Sequence, residues 1–486
     1  MRKIEPIRIF ELFEQISEIP RCTGDEEGIS TFVVDFAKNL GLSVEQDSIG
    51  NVLIRKSGTK GYDSAAPIIL QGHMDMLCIK SFESMHDFSS DPIELSVSGD
   101  LLVAKETALG SDNGIAIAFY LALLESTDIS HPPLEVILTV QEQAGLIGAR
   151  DLDVSNLYGR YLINMDSEAE GEFIIGCAGE ERVRIEYPLE RTTHEYDMES
   201  TITIQGLKGG HSGLNIHLNR GNAVQVLAKI YKLLSEEMPL SLISMCAGEK
   251  HNVIPHYGEL RIAFPHDSLD TFKNKMIDVH TFIEAYLNET QFEIGMDICP
   301  IQTGVGVLKQ KHSKQLIDLL ISLPNGVIAV SERESELVDT SLNIGILRIY
   351  DDQAIMSISI RGLTYERLMF AKEKVEILAN FVGAGFKSEN SYPAWNDEGD
   401  NHLRRIFKQA YREQFGENPS MKSIHAGLEC SILAKKLNER PLQPPIEMIS
   451  FGPDIFDAHT PEEAMSISSV RRMWGLFQYI LKQMIE

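Results

Sequence analysis

Two kinds of hydrophobic pattern alternate along the N-terminal part of the chain. One has helical spacing. Ile29, Phe32, Val33, Phe36, Ala37 and Leu40 mark one face of a helix over 23–40. Thr23 and Glu26 have capping-box spacing at its start, and Gly41 is a fitting stop. The other pattern is a short, nearly unbroken apolar run. Residues 67–70 read as a buried strand leading to His73, 134–140 as one ending at Glu142, and 161–164 as one ending at Asp166. A further strand is expected at 51–55, and a mostly apolar helix at 115–124. Such alternation predicts an α/β domain with a largely parallel sheet. Polar residues capable of chemistry recur at strand carboxyl ends, where open α/β sheets bind ligands.

The pattern changes near Tyr187-Pro188. Strand-like stretches at 201–204, 259–264 and 354–360 then mix with helical ones at 222–234 and 269–286, which predicts an inserted α+β domain. Around Ser391-Tyr-Pro-Ala-Trp395 the chain returns to the first domain, with a helix at 402–415 and a strand at 447–451. The expected division is 1–186 and 391–486 for the catalytic domain and 187–390 for the insert, a lid or dimerisation-like domain.

Composition narrows the function classes. The 486 residues carry a formal charge of −27, from 44 basic and 71 acidic side chains. Nucleic acid or an anionic membrane as main partner would need basic patches, so neither is expected. No apolar run reaches membrane-spanning length, and Met1-Arg-Lys-Ile-Glu-Pro lacks an uninterrupted apolar signal core. The 6 cysteines are scattered with no C-x-x-C pair, so no disulfide framework is expected and a cytoplasmic location is.

Five short motifs then stand in order: Gln71-Gly-His-Met-Asp75, Gly110-Ser-Asp-Asn-Gly114, Gln141-Glu-Gln143, Asn164-Met-Asp166 and Ala458-His459. Each has an ordinary reading alone. His73-x-Asp75 fits a surface turn, Asp112 a helix N-cap, Asp166 a solvated acidic run, and His459 a loop histidine. Together, His73, Asp112, Asp166 and His459 are ligand types for zinc-like ions, and Glu142 is a candidate general base. His73 and Asp75 point to the same side of a strand, so Asp75 can hold the imidazole's second nitrogen.

The set resembles the di-zinc metallopeptidase superfamily that includes glutamate carboxypeptidase-like enzymes and carnosinases. It is more similar still to the bacterial aminoacyl-histidine dipeptidase family (Xaa-His dipeptidase, cytosol non-specific dipeptidase). The similarity spans nearly the whole chain. It includes Met85-His-Asp-Phe-Ser-Ser-Asp-Pro92, Gly176-Cys-Ala-Gly179, Gly206-Leu-Lys-Gly-Gly-His-Ser-Gly213, Pro324-Asn-Gly-Val327, Thr340-Ser-Leu-Asn343 and the stretch from Ile424-His-Ala-Gly-Leu-Glu to Cys430. The resemblance implies a largely parallel-sheet metallopeptidase domain with an inserted α+β lid, and hydrolysis of unblocked dipeptides, Xaa-His among them. It implies that His73 and Asp166 bind one metal ion, Asp112 bridges two, and His459 binds the second with the residue at position 143. Glu142 becomes the general base for the attacking water, and Asp75 orients His73. His211 stabilises the tetrahedral intermediate, in its own or a partner's site. Asn252 and Arg361 look suited to the substrate carboxylate, and His425 and Glu429 to the pocket. Zinc is the implied metal, with manganese and cobalt as alternatives, and a homodimer is compatible.

The chain departs from this family at one ligand. Two successive acidic residues are expected before Ala-Gly, and here stand Glu142-Gln143-Ala144-Gly145. Three carboxylates and a hydroxide bring two divalent ions to about zero formal charge. With Gln143 the sum is about +1, so the second ion should bind more weakly. Three hypotheses follow: a dipeptidase with a weakened second metal site, a non-catalytic homologue that binds peptide or metal, and a related metal-dependent amidohydrolase or deacylase.

Overall fold

The three unbroken apolar runs are the strands Ile68–His73, Leu134–Thr139 and Tyr161–Asn164, and each is buried along its whole length. Burial on both faces is what a near-continuous hydrophobic run encodes. In this computed structural model, residues 4–193, 196–287, 292–301, 306–332, 334, 336–397, 399–441 and 445–485 are described.

The chain divides into two compact units. The first comprises the described residues up to Cys177, Trp395–Ser423 and those from Leu428 onward. The second is Ala178–Ala394 with the short piece Ile424–Gly427. The insert therefore begins at Ala178, before the expected 187, and ends at Ala394, after the expected 390. One long strand, Gly179–Pro188, pairs with Gln353–Gly362 and Gly385–Tyr392 of the same unit.

In the first unit Leu134–Thr139, Ile68–His73, Tyr161–Asn164 and Glu447–Ser450 lie side by side and parallel. Ser43–Gln46, Val52–Lys56 and Glu172–Cys177 extend this centre through antiparallel pairs, so the sheet is parallel at its middle and mixed overall. The register aligns His73 with Thr139 and Gln71 with Asn164, which brings the strand ends carrying chemistry level with one another. The helix Ser111–Glu125 is apolar on every side, and Ile115–Leu124 are all buried. Tyr120 anchors it to the sheet by donating its hydroxyl to the Gln71 carbonyl at 2.9 Å. Truncating Leu121 to alanine there would cost about 2–5 kcal/mol.

The predicted 23–40 helix is observed as Glu27–Asn39, and its expected capping box is not formed. Thr23 donates instead to Asp75 Oδ2 at 2.9 Å, and Glu26 Oε1 accepts from the Gln141 N–H at 3.0 Å. A bond between Cys22 and Cys78 corrects the expectation drawn from scattered cysteines. A parallel bridge between Cys22 and Met76 brings the two segments together, and the Cα atoms of Cys22 and Cys78 are 5.5 Å apart. Sequence spacing carried no trace of that contact.

The second unit is built on a nine-stranded sheet whose assigned pairs are antiparallel, with the helices Ala223–Ser235, Leu269–Leu287, Gln310–Ser322 and Tyr365–Phe381. Asn222 caps the first of these, accepting from the Val224 N–H at 3.0 Å. Among the described residues no helix is long and apolar enough to cross a membrane.

Candidate metal centre

His73 is the last residue of its strand and is almost fully buried. Its Nδ1 lies 3.0 Å from the Asp75 backbone carbonyl and 3.4 Å from Asp75 Oδ1. That leaves Nε2 facing Asp112 Oδ1 at 3.0 Å and Asp166 Oδ1 at 3.6 Å. Asp75 does more than meet the imidazole. Its carboxylate also accepts the N–H groups of Glu142 at 2.9 Å and Gln143 at 3.1 Å, so it holds the next functional loop in place.

Asp112 lies at the start of the buried helix, but it does not cap it. Gly110, at φ +70°, is the cap residue, and Asp112 has non-helical dihedrals. The Asp112 carboxylate meets side chains instead. Its two oxygens face two different groups of residues. Oδ1 faces His73. Oδ2 lies 2.7 Å from His459 Nε2 and 3.1 Å from Gln143 Nε2, and those two nitrogens are 3.2 Å apart.

One half of this geometry fits a metal ion. Donors held roughly 2.0–2.2 Å from one zinc-like ion stand about 3.3 Å apart. Ligand atoms of His73, Asp112 and Asp166 all lie within 4.8 Å of one another, the one such cluster of His, Cys, Asp and Glu among the described residues. Two hard oxygens and an imidazole suit zinc, and manganese or cobalt as well. The second group fits less well. It offers His459, the other Asp112 oxygen and a neutral amide, and the His459 side chain is 42% exposed where that of His73 is 1%. Gln143 points its amide nitrogen at Asp112, and turning the amide over would present its oxygen instead.

Electrostatics distinguish these groups. Burial pulls the His73 imidazole down, but Asp112, Asp166 and Asp75 outweigh it and hold the group well above its ordinary value. Burial would raise Asp112, yet His73 and His459 keep it well below the usual carboxylate range. Burial, reinforced by Asp166, Asp75 and Asp112, pushes Glu142 well up despite the nearby His73. Asp166 is raised chiefly by burial. A surplus of carboxylates around a buried imidazole favours a cation there.

Glu429 was expected to line the substrate pocket. The structure places it in the first unit, fully buried, where its Oε2 accepts from Gln71 Nε2 at 2.5 Å and Thr139 Oγ1 at 2.6 Å. It ties together two strands that lead to the site, and burial pushes it up to about 7. The segment before it, Ile424–Gly427, belongs to the second unit, so neighbouring residues of one motif separate.

Within the second unit, His211, Asn252 and His425 lie near one another. The Ser212 N–H donates to the Asn252 carbonyl at 2.8 Å. A Cβ at Gly213 would meet the His425 carbonyl at 2.5 Å and the His211 ring at 3.1 Å. His425 Nε2 lies 2.7 Å from Ser341 Oγ, and burial with Arg361 nearby lowers the imidazole to about 3. Arg361 is itself buried, 3.4 Å from Glu180 and donating to the Tyr392 hydroxyl at 2.8 Å. Its charge already has a carboxylate partner, which spacing in the sequence did not show.

Known proteins resemble this chain in sequence and in fold. The profile of the peptidase family M20/M25/M40 matches residues 69–483. The chain is 34% identical over 484 residues to the cytosol non-specific dipeptidase of Escherichia coli (strain K12), covering 99% of each. The aminoacylhistidine dipeptidase of Vibrio alginolyticus superposes with a TM-score of 0.80 at 32% identity, covering 99% of this chain and 97% of that one. Aminopeptidase PepT from Bacillus cereus shares the fold, with a TM-score of 0.56 at 16% identity and 100% of both chains covered.

Proposed function

The chain belongs to the peptidase family M20/M25/M40, and from that premise we propose that it is a metal-dependent dipeptidase acting on unblocked dipeptides, Xaa-His among them. The observation that carries this reading is the divided carboxylate of Asp112, with one oxygen toward His73 and the other toward His459 and Gln143. His73, Asp112 and Asp166 would hold one ion, and Asp112, His459 and the Gln143 amide the other. When bound, such ions polarise a peptide carbonyl and lower the pKa of water.

Glu142 serves as the base. It accepts a proton from the attacking water and returns it to the leaving amine. Burial, with Asp166, Asp75 and Asp112 nearby, raises its proton affinity, the direction that favours taking up the water proton. Asp75 fixes both the His73 tautomer and the Glu142 backbone. We assign His211 to stabilising the tetrahedral intermediate, and Asn252 and His425 to substrate positioning, since His425 is held neutral beside Ser341 and can offer a fixed hydrogen bond. Arg361 enters as a carboxylate-binding residue only if it shares its guanidinium with Glu180. The insert is a lid in this reading. A homodimer is part of it too, since the helix Tyr365–Phe381 leaves Tyr365, Phe370, Ile377 and Phe381 exposed.

We place the protein in the cytoplasm, the compartment named for its Escherichia coli relative. Thiol labelling in lysates prepared with and without reductant would show whether Cys22 and Cys78 are paired there.

The deciding experiment follows initial rates of Ala-His hydrolysis by metal-stripped protein titrated with zinc or manganese, with Glu142→Ala as the blank. Metal-dependent cleavage that Glu142→Ala abolishes is the expected result. Peptide binding without product at any metal level would favour the second reading, a binding-only homologue, for which Gln143 is the motive. Cleavage of acylated amino acids in preference to dipeptides would identify a deacylase.

A further inference from the structure

Arg21 is a charged residue with 2% of its surface exposed, far along the sequence from every metal-site motif. Among the described residues its guanidinium donates to backbone carbonyls and to no carboxylate. Nη1 donates to the Met74 carbonyl at 3.2 Å and Nη2 to the Gly110 carbonyl at 2.5 Å. Those carbonyls belong to the two loops that carry His73 and Asp112. Glu463, 3% exposed, grips the second loop from its other side. Its Oε2 accepts the Gly110 N–H at 3.1 Å, and its Oε1 accepts the Ser111 N–H at 2.8 Å, the Ser111 hydroxyl at 2.5 Å and the Asp112 N–H at 3.4 Å.

Gly110 is thus held at its carbonyl by a buried cation and at its N–H by a buried anion. The glycine is required on two counts. Its φ of +70° is left-handed, and a Cβ there would stand 2.5 Å from Arg21 Nη2 and 2.6 Å from Met76 Sδ. Gly114 closes the same motif for a related reason, since its Cβ would lie 2.7 Å from Arg21 Nη2. The glycines of Gly110-Ser-Asp-Asn-Gly114 leave room for the arginine to cross the turn.

We propose that Arg21 and Glu463 form a buried clamp that positions Asp112 so that its two oxygens address two metal sites. The clamp rests on the reading of Asp112 as a metal ligand. Neither residue touches the ions or the substrate, so both are positioning residues. Outer-shell groups of this kind typically change metal affinity by about 10–100-fold.

The test uses the full-length protein titrated with Co2+, whose visible spectrum reports ligand geometry, together with zinc competition against a chelator, thermal melts and steady-state Ala-His kinetics. The variants are Glu463→Gln, Arg21→Met, Arg21→Lys and Ser111→Ala, with Asp112→Asn as the reference for ligand loss. The expected result is that Glu463→Gln and Arg21→Met weaken metal binding by about 10–100-fold, alter the Co2+ spectrum and lower kcat, with KM changing by less than about threefold. Arg21→Lys restores part of the affinity, because it keeps the charge but reaches only one carbonyl. Should the charge variants fail to fold, Ser111→Ala carries the test. It removes one bond to Glu463 and leaves every charge, and its affinity should fall by a few-fold with an altered spectrum. Folded variants that bind metal within twofold of the parent with an unchanged spectrum would overturn the clamp. If Asp112→Asn alone lost metal, the clamp would fail and the function stand. If the parent and the clamp variants showed the metal differences without any hydrolysis, the clamp would stand and the dipeptidase reading fail. A parent that binds no metal would overturn both.

Discussion

His73 and His425 are both buried histidines, one in each unit, and their surroundings shift them in opposite directions. His73 is held well above its ordinary value because Asp112, Asp166 and Asp75 outweigh the cost of burial. His425 is lowered to about 3, because burial is joined by Arg361 and its nearest polar partner is the Ser341 hydroxyl. A buried imidazole surrounded by carboxylates marks a place that prefers a cation, whether proton or metal. A buried imidazole beside a hydroxyl and a guanidinium stays neutral and serves as a fixed hydrogen-bonding group. The same residue type therefore reads as a ligand in one unit and as scaffold or substrate contact in the other, and only the neighbours distinguish the two.

The contrast can be broken or sharpened by experiment. The largest expected effect is on catalysis in the first unit. Glu142→Ala should lower Ala-His turnover by about 10²–10⁴-fold while metal stoichiometry, measured by equilibrium dialysis, stays at the parent value. Next, Gln143→Glu should complete the second half of the cation basin. A unit charge at ~4 Å and an effective dielectric of ~20 is worth about 4 kcal/mol before desolvation, so a gain of ten- to a hundredfold in second-site affinity is expected, with faster turnover. Calorimetric titration giving the same two affinities as the parent would refute the charge argument.

A smaller effect should appear in the second unit as a pH dependence of stability. Below about pH 6.5 the unfolded chain takes a proton at residue 425 that the folded chain refuses until about pH 3. In that window stability falls with falling pH, by up to about 1.4 kcal/mol per unit. Urea melts of metal-free protein from pH 7 to 5 should show the loss, and His425→Gln should flatten it. The smallest change is expected from Ser341→Ala, which removes the hydroxyl partner of His425 at a cost of about 1 kcal/mol and leaves metal affinity untouched. A change in metal affinity from that variant would mean that the two histidine environments are not independent.

Much of the first unit was legible because burial on both faces is written locally. Unbroken apolar runs announced the strands at 68–73, 134–139 and 161–164, and each leads to a polar residue at its carboxyl end. The ligand types, their order and the neutral amide at position 143 were likewise present in the residues themselves. Local spacing misled where it met a long-range partner. Thr23 and Glu26 have the spacing of a helix cap, yet Asp75 and the Gln141 N–H claim them. Asp112 has the look of a cap, yet its dihedrals are non-helical and its carboxylate meets His73, His459 and Gln143.

The sequence by itself determined which chemistry is available: imidazoles, carboxylates, one candidate base, one missing charge, and a framework of buried strands to carry them. Tertiary structure decided how those groups are held. The pairing of Cys22 with Cys78, the passage of Arg21 over two glycines, the grip of Glu463 on Ser111, the burial of Glu429 beneath Gln71 and Thr139, and the assignment of 424–427 to the second unit all join residues distant in sequence. A hydrophobic period reports the solvent exposure of a residue's own element. It carries no information about which distant polar group will meet a given side chain, because that meeting is set by how the elements pack.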